Sequence, residues 1–259
     1  MPLTLQQKQD FHRDGYLVLP GAIAPTMIER ARAAINHDIG TNGLHPDELR
    51  KFAATSSCPT LREQPVLTDL FNESPVFEAC ESLMGAGNVL PAKIVQIALR
   101  YPRIAEDQPR EFRGHLDGVG SDTNGVPKGT YLRNFTALAV VLLNDLPEPF
   151  RGNFTVWPGS HQACADYFSS ADRAEAIKAG RLEYDLPQPP IQITGKAGDV
   201  CITHHNLWHG AAPNYSPDIR YAAIFRAQHK DVKTNNTEAM TDLWREWDGV
   251  RAALPSSKA

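Results

Sequence analysis

The segment "RGHLDGVG", residues 113–120, places an imidazole and a carboxylate two positions apart, at His115 and Asp117. In an extended strand, side chains two residues apart leave the same face, so both groups would point together and Leu116 would turn outward. A second histidine would complete the two-histidine, one-carboxylate triad that leaves positions open on non-haem Fe(II). The pair alone also fits a histidine that is hydrogen-bonded to a neighbouring acid on a surface strand.

Candidates for a third ligand lie in the later segment "GDVCITHHNLWHGAAPN", residues 198–214, where His204, His205 and His209 compete for the role. Arg220 follows on the predicted return strand "IRYAAIF", eleven residues after His209. A guanidinium is a permanently charged fork, suited to bind the far carboxylate of 2-oxoglutarate through paired hydrogen bonds. The near carboxylate and keto oxygen of that cosubstrate would then chelate the metal.

Several helices are predicted to flank these motifs. "LTLQQKQDFHRDG" is predicted as a short helix with Thr4 as its N-cap and Gly15 at its end. After the strand "YLVLP" (16–20), "APTMIERARAAINHDIG" is predicted as an amphipathic helix that Gly40 ends. The remaining predicted helical pieces are "VLTDLFN", "PVFEACESLMG", a surface helix or lid over 164–181, and an amphipathic helix over 238–249.

Strand-like runs dominate the chain after residue 90, and they are rich in β-branched and aromatic residues. They cover residues 92–102, 134–145, 152–161, 189–204 and 219–228. Helices followed by many strands, without regular βα alternation, argue against a Rossmann or TIM-barrel layout. We therefore predict a mainly β protein with flanking helices, whose core is a double-stranded β-helix, the cupin-like jelly roll.

The chain contains no internal repeat, low-complexity tract or linker, so a single domain over residues 1–259 is predicted. Within it, residues 1–90 form a mostly helical buttress, residues 91–230 the jelly-roll core, and residues 231–259 a C-terminal helix. The segment 118–133 is Gly-rich and polar. It is interpreted either as a lid over the site or as a plain solvent loop.

Composition limits the classes of function. Hydrophobic residues make up 42% and charged residues 22% of the chain, which is ordinary for a soluble globular protein. The net charge of −4, without a Lys/Arg cluster, argues against a nucleic-acid partner. The apolar run 137–143 is too short to span a bilayer, and no signal peptide is indicated. Four scattered cysteines without a CxxC pair suggest a reducing compartment, so a cytoplasmic protein is expected.

In order along the chain, these motifs resemble the phytanoyl-CoA dioxygenase family of Fe(II)/2-oxoglutarate-dependent oxygenases. "FHRDGYLVLPGAI" is similar to that family's N-terminal helix–strand segment, "GHLDG" to its His-x-Asp, and "LNDLPEPFRGNFTVWPGSH" to its Pro-Gly-Ser-His segment. The distal block from "GDVCITHH" to Arg220 matches its histidine and arginine motif. The resemblance implies a catalytic Fe(II) held by His115, Asp117 and His209, with 2-oxoglutarate held by Arg220 and O₂ as the second cosubstrate.

This chain departs from the family at Ala211, because many relatives carry a hydroxyl residue two places after the distal histidine. That hydroxyl helps to bind the cosubstrate, so another donor is expected here. The predicted replacements lie on two strands: Thr136, Asn134, Gln96 and Arg100. Asp117 is intact where halogenating relatives have a small residue, which favours hydroxylation over halogenation.

The implied activity is hydroxylation of an aliphatic C–H bond in a small or medium-sized metabolite, with release of succinate and CO₂. The same site could instead catalyse desaturation, epimerisation or cyclisation. Two other classes stay open: a cupin-type protein that binds metal or a small acid without turnover, and a zinc hydrolase, which would leave Arg220 unexplained. A small molecule is the expected partner, with no nucleic acid and no membrane, and the oligomeric state is left open.

Other ring-bearing residues have ordinary structural interpretations. Trp157, Phe154, Tyr131 and Trp208 fit either a substrate pocket or the core. His204 and His205, if not ligands, would orient the loop, and His161 would support a turn. The histidines predicted at the surface are His12, His37, His45 and His229.

Overall fold

The computed structural model describes residues 2–43, 57–103, 114–120, 126–170, 173–179 and 185–254. The helices are α1 (Leu5–Asp14), α2 (Pro25–Asn42), α3 (Pro65–Asn72), α4 (Pro75–Met84), α5 (Ser160–Ser169), α6 (Arg173–Ala179), α7 (Val232–Asn235) and α8 (Asp248–Arg251), with 3-10 turns at Pro59–Leu61 and Asn236–Met240. The strands are β1 (Tyr16–Leu19), β2 (Val89–Leu90), β3 (Gln96–Arg100), β4 (Ala137–Leu142), β5 (Phe154–Val156), β6 (Ile191–Gln192), β7 (Val200–His204), β8 (His209–Ala211) and β9 (Arg220–His229).

Two antiparallel sheets form the core. The larger sheet has the order β1-β7-β4-β9-β2, with β3 also paired to β9, and the smaller sheet has the order β6-β5-β8. This mainly antiparallel arrangement with flanking helices is the jelly-roll core that the sequence predicted.

Strand β4 is buried on both faces, which explains why its sequence is a continuous apolar run rather than an alternating one. Leu138 and Val140 face the space between the sheets, where they pack with Phe154 and Val156 of β5. The intervening residues of β4 face the helices, in a second cluster that contains Ala137, Ala139 and Val141. On that outer side, Phe71 of α3 stacks on Phe225 of β9 with ring centroids 5.4 Å apart. The helices therefore support the larger sheet from outside.

The N-terminal helix forms as predicted. Thr4 and Gln7 make a complete capping box, and Gly15 ends α1 in the left-handed region at φ 77°. The prediction that Gly40 ends α2 was wrong, because the helix continues to Asn42 and Gly43 caps it. Its last turn is tied down by Asp38, whose carboxylate accepts hydrogen bonds from Asn42 and Thr60.

Two strand boundaries also differ from the sequence prediction. The run 152–161 is a strand only as far as Val156, and α5 begins at Ser160, earlier than the predicted helix. The run 189–204 is interrupted between β6 and β7, where Gly198 adopts φ 95° in the turn that launches β7. Both breaks coincide with glycines in the left-handed region, Gly159 and Gly198, which a strand cannot contain without a bend.

The prediction of a single C-terminal helix over residues 238–249 was wrong. This stretch consists of 3-10 and turn structure, and α8 begins only at Asp248. The carbonyl oxygens of Ala239, Met240 and Leu243 accept hydrogen bonds from the side chains of His205, Asn206 and His204, respectively. The amphipathic pattern is used instead to dock the segment, with Trp247 fully buried.

The cysteines and the helices bear on two of the expectations from the sequence. All four cysteines are free and buried. Among the described residues, no helix combines the length and the apolar character needed to cross a bilayer.

Candidate metal centre

The side chains of His115, Asp117 and His209 meet at one point, with one potential ligand atom of each lying within 4.8 Å of the others. The Asp117 Oδ1 atom is 3.2 Å from His115 Nε2 and 3.8 Å from His209 Nε2. A backbone bridge holds the two histidines together, since His115 and His209 exchange N–H···O bonds of 2.8 and 3.1 Å. Local backbone pairing therefore joins two residues that are far apart in the sequence.

His209 presents a free ring nitrogen to this cluster. Its Nδ1 atom lies 2.9 Å from the carbonyl oxygen of Leu207, so Nδ1 carries the proton and Nε2 keeps its lone pair. Burial, reinforced by the nearby His115, lowers the pKa of His209 to about 4, which keeps the ring neutral at neutral pH. His209 opens strand β8, which pairs with β5.

Asp117 is held in its charged form. Burial alone would raise its pKa, but the hydrogen bond from His115 and the positive charge of Arg226 outweigh burial and hold the pKa far below its usual range. Two imidazole nitrogens and an ionised carboxylate oxygen form the donor set that suits a non-haem Fe(II) ion with open positions. The residues present therefore fit the metal that the sequence implied.

The turn that carries the His-x-Asp pair is anchored from behind. Leu116, expected to face outward, is 4% exposed and packs with Val119, Phe168 and Met240 in a separate apolar cluster. Beyond it, Val119 and Tyr131 form an isolated antiparallel bridge. Residues 121–125 lie outside the described residues, so the alternative of a lid over 118–133 stays a prediction.

Arg220 begins β9 and is 5% exposed. Its guanidinium donates to two backbone carbonyls, from Nε to Gly152 at 2.8 Å and from Nη1 to Ala98 at 3.0 Å. Burial and the neighbouring Arg100, its cross-strand partner on β3, lower the pKa of Arg220 to about 9. Within the described part of the chain, no carboxylate pairs with Arg220. A buried cation without a counter-charge is suited to receive a carboxylate ligand.

The other residues predicted to bind the cosubstrate divide into two groups. Gln96 and Arg100 are on the face of β3 that is in register with Ile224 and Arg220 of β9, near the candidate site. Thr136 lies elsewhere, because its hydroxyl donates to Glu246 and accepts from the His229 N–H.

Asn134 is exposed, and its backbone carbonyl accepts a hydrogen bond from the Gln228 side chain. Glu246, the partner of the Thr136 hydroxyl, also forms a fully buried ion pair with Arg133. The structure therefore does not bring Thr136 to the metal centre, and within the described ranges the contact seen for Asn134 is with Gln228.

Sequence reasoning missed Arg226. Its guanidinium donates from Nη2 to Asp117 Oδ2 and from Nη1 to Gln96 Oε1, both at 2.9 Å. The spacing could have revealed it, since Arg220 and Arg226 are six residues apart on one strand and so share a face.

The competing histidines serve a different part of the fold. The Nε2 atoms of His204 and His205 hydrogen-bond to the carbonyls of Leu243 and Ala239, which ties them to the C-terminal segment. His161 bonds to the carbonyl of His12. His229, predicted at the surface, is 5% exposed, and His45 lies outside the described residues.

Comparison with known proteins gives a match to the phytanoyl-CoA dioxygenase (PhyH) family over residues 11–222. Among curated proteins, the chain is 23% identical to the ectoine dioxygenase of Nocardia farcinica (strain IFM 10152) over 238 residues, which covers 82% of this chain and 73% of that protein.

Two solved structures illustrate the similarity of fold. HygX from Streptomyces hygroscopicus, with nickel and 2-oxoglutarate bound, superposes with a TM-score of 0.59 at 18% identity, covering 89% of this chain and 88% of HygX. The non-heme alpha-ketoglutarate-dependent carbocyclase SnoK from nogalamycin biosynthesis gives a TM-score of 0.55 at 18% identity, covering 92% of this chain and 93% of SnoK.

Proposed function

The chain belongs to the phytanoyl-CoA dioxygenase (PhyH) family, and from that premise we propose that it hydroxylates an aliphatic C–H bond of a small or medium-sized metabolite. As a member of this family it is an oxidoreductase that uses Fe(II), 2-oxoglutarate and O₂. The coproducts of the proposed reaction are succinate and CO₂. The observation that carries the proposal is the convergence of His115, Asp117 and His209 within 4.8 Å.

In this proposal the metal ligands are His115 Nε2, one oxygen of Asp117 and His209 Nε2. Fe(II) bound there would let O₂ act as the oxidant, with two electrons taken from 2-oxoglutarate and two from the C–H bond. The chain's own residues keep two of these ligands in their ligating forms: the Leu207 carbonyl fixes the His209 tautomer, and the His115 hydrogen bond and the Arg226 charge keep Asp117 ionised.

Arg220 is proposed to bind the distal carboxylate of 2-oxoglutarate. Support comes from its burial without a carboxylate partner among the described residues, and from its position on the same face of β9 as Arg226, which contacts the metal carboxylate. Arg100 and Gln96 are proposed as the neighbouring polar groups that replace the hydroxyl missing at Ala211. A bound dicarboxylate would offset the positive charge that Arg220 and Arg100 concentrate inside the sheet sandwich.

The size of the substrate is proposed from a relative. Beside the triad, the rings of Phe154 and His209 have centroids 5.7 Å apart, and Leu116 packs in an apolar cluster with Phe168 and Met240. The curated relative is named for ectoine, a small molecule. Hydroxylation is the proposed outcome, and a product mass increased by one oxygen atom distinguishes it from desaturation, epimerisation and cyclisation at the same site.

The test is a succinate-release screen over a panel of metabolites with Fe(II), ascorbate, 2-oxoglutarate and O₂. We expect succinate together with a product that has gained one oxygen atom. Asp117→Ala should abolish both, and should weaken Fe(II) binding by more than the roughly ten- to hundredfold typical of losing an outer partner of a metal ligand.

Asp248→Ala, which removes a surface carboxylate paired with Arg251, is the matched control and should keep full activity. Normal turnover by Asp117→Ala would refute the triad. Binding of Fe(II) and 2-oxoglutarate without succinate release under O₂, for every metabolite tried, would favour a binding protein over an enzyme.

A further inference from the structure

Arg226 has a position that the proposed ligand set does not explain. It is on β9, six residues after Arg220, and its side chain is 38% exposed. Its guanidinium bridges two groups, donating to Asp117 Oδ2 and to Gln96 Oε1, both at 2.9 Å. Arg226 is therefore in direct contact with the carboxylate proposed to bind the metal.

The guanidinium is fixed on more than one side. Gln96 reaches it diagonally across the β3–β9 pair, since Gln96 is in register with Ile224, two residues before Arg226. The central carbon of the guanidinium lies over the Phe135 ring, 5.8 Å from the ring centroid. A planar group whose two terminal nitrogens donate to Gln96 and Asp117 has a defined direction in which it meets Asp117.

The two oxygens of Asp117 are consequently used differently. Oδ1 faces His115 Nε2 at 3.2 Å and His209 Nε2 at 3.8 Å, whereas Oδ2 is occupied by Arg226. An unrestrained carboxylate can rotate, or can offer both oxygens to a metal. Here the hydrogen bond to Oδ2 leaves Oδ1 as the oxygen that faces the two imidazoles.

We propose that Arg226, oriented by Gln96, is a positioning residue that reserves Oδ2 of Asp117 and so limits this carboxylate to one-oxygen coordination of the metal. This inference rests on the proposed function, because it presupposes that Asp117 is a ligand. Its consequence is that further coordination positions stay open for the chelating cosubstrate and for O₂.

A test must separate orientation from charge. Arg226 is a cation beside a metal site, so its removal would also relieve repulsion of the metal ion and could strengthen binding. Arg226→Lys and Gln96→Met avoid this ambiguity, because both keep the positive charge. Lysine is a flexible point charge without the guanidinium fork, and methionine removes the acceptor that orients Arg226.

The experiment measures Mn(II) binding to the full-length protein by electron paramagnetic resonance, without 2-oxoglutarate. We expect Arg226→Lys and Gln96→Met each to weaken Mn(II) binding by about tenfold. We also expect the spectrum of the bound ion to change, because a carboxylate free to offer both oxygens alters the symmetry of the site. A merely structural role would lower Tm without moving that spectrum.

Arg251→Lys is the matched control, because Arg251 also donates to an aspartate, Asp248, but on the surface. It should leave both the Mn(II) Kd and the spectrum unchanged.

Wild-type Mn(II) affinity and spectrum in folded Arg226→Lys and Gln96→Met would overturn the inference. If one of the two variants fails to fold, judged by circular dichroism, the other decides. The proposed function fails by a different result, namely Mn(II) binding that survives in Asp117→Ala, so the two failures are distinguishable.

Discussion

At the scale of single residues, Arg220 is buried beside a second arginine and donates only to backbone carbonyls among the described residues. Taking a charge out of water is costly unless a counter-charge compensates for it. The described residues around Arg220 supply none. The proposed cosubstrate carboxylate would supply that counter-charge, which makes the affinity for 2-oxoglutarate sensitive to this side chain.

We predict that Arg220→Met raises the Kd for 2-oxoglutarate by about ten- to hundredfold. The reason is that hydrogen bonds to a charged group contribute about 1.5–3 kcal/mol. Anaerobic titration of the Fe(II)-loaded protein with 2-oxoglutarate, followed by visible absorption, measures this Kd. Fe(II) binding should be retained, and Arg251→Met should behave as the wild type. An unchanged Kd in Arg220→Met would move the role to Arg100 or to another group.

The sequence was informative for residues whose motif has a fixed spacing. The structure brings His115, Asp117 and His209 together, as the motif implied. The sequence was uninformative for a hydroxyl whose hydrogen-bond partner lies far along the chain. Thr136 looked available on its strand, but Glu246, 110 residues later, accepts its hydrogen bond. No local pattern predicts such a pairing, because it depends on where the C-terminal segment docks.

At the scale of elements, the turn before β5 packs against two arginines of the larger sheet, Arg100 on β3 and Arg220 on β9. Gly152 has φ 76°, and its carbonyl accepts from Arg220. A β-carbon at this position would lie 2.9 Å from the Arg100 Cβ and 3.2 Å from the Arg220 Cβ. The turn therefore needs glycine for both its backbone conformation and its contact with the arginines.

We predict that Gly152→Ala lowers the free energy of unfolding by at least about 1–2 kcal/mol, the cost of an L-residue in the left-handed region. It should also raise the Kd for 2-oxoglutarate, because Arg220 must shift. Denaturant titration and the anaerobic cosubstrate titration measure these two effects.

Gly87→Ala is the matched control, since Gly87 has φ 73° but a β-carbon added there would meet nothing within 4 Å among the described residues. It should show the backbone strain without the loss of cosubstrate affinity. If both variants kept wild-type affinity, the contact of Gly152 with the arginines would have no bearing on the site.

A helix or strand could be predicted where interactions within its own segment define its ends. The capping box of Thr4 and Gln7 and the left-handed Gly15 define α1 by themselves. The C-terminal stretch was predicted as a helix because its apolar spacing is helical, yet its carbonyls bond to His204, His205 and Asn206. Tertiary hydrogen bonds replaced helical ones there, and a pattern confined to one segment cannot reveal its partners.

At the scale of the whole molecule, a cluster of buried histidines joins three distant parts of the chain. His161 contacts the carbonyl of His12 at the end of α1, while His204 and His205, at the end of β7, contact carbonyls of the C-terminal segment. His204 also stacks on Trp247, with ring centroids 5.0 Å apart. Protonating any of these rings would place a charge in the packed region that joins α1 and the segment 239–243 to the sheet.

This cluster makes the stability of the protein depend on pH. Burial lowers the pKa of His161 to about 4 and that of His205 to about 3, and it lowers the pKa of His204 as well. The unfolded chain, with a histidine pKa near 6.5, therefore binds more protons than the folded chain as the pH falls. The stability is fully present above about pH 6.5 and is lost as the pH falls toward the folded-state pKa values.

We predict that the free energy of unfolding falls by about 2 kcal/mol for each of His161 and His205 between pH 7 and pH 5. Denaturant titrations of the metal-free protein at pH 7, 6 and 5 measure this loss. His205→Gln keeps an amide that can donate to the Ala239 carbonyl but cannot titrate, so its loss over the same interval should be about 2 kcal/mol smaller. Glu246, whose pKa is lowered to about 2, titrates below this interval and does not obscure it. An unfolding free energy that is flat from pH 7 to pH 5, or an equal loss in His205→Gln, would show that the buried histidines do not set this dependence.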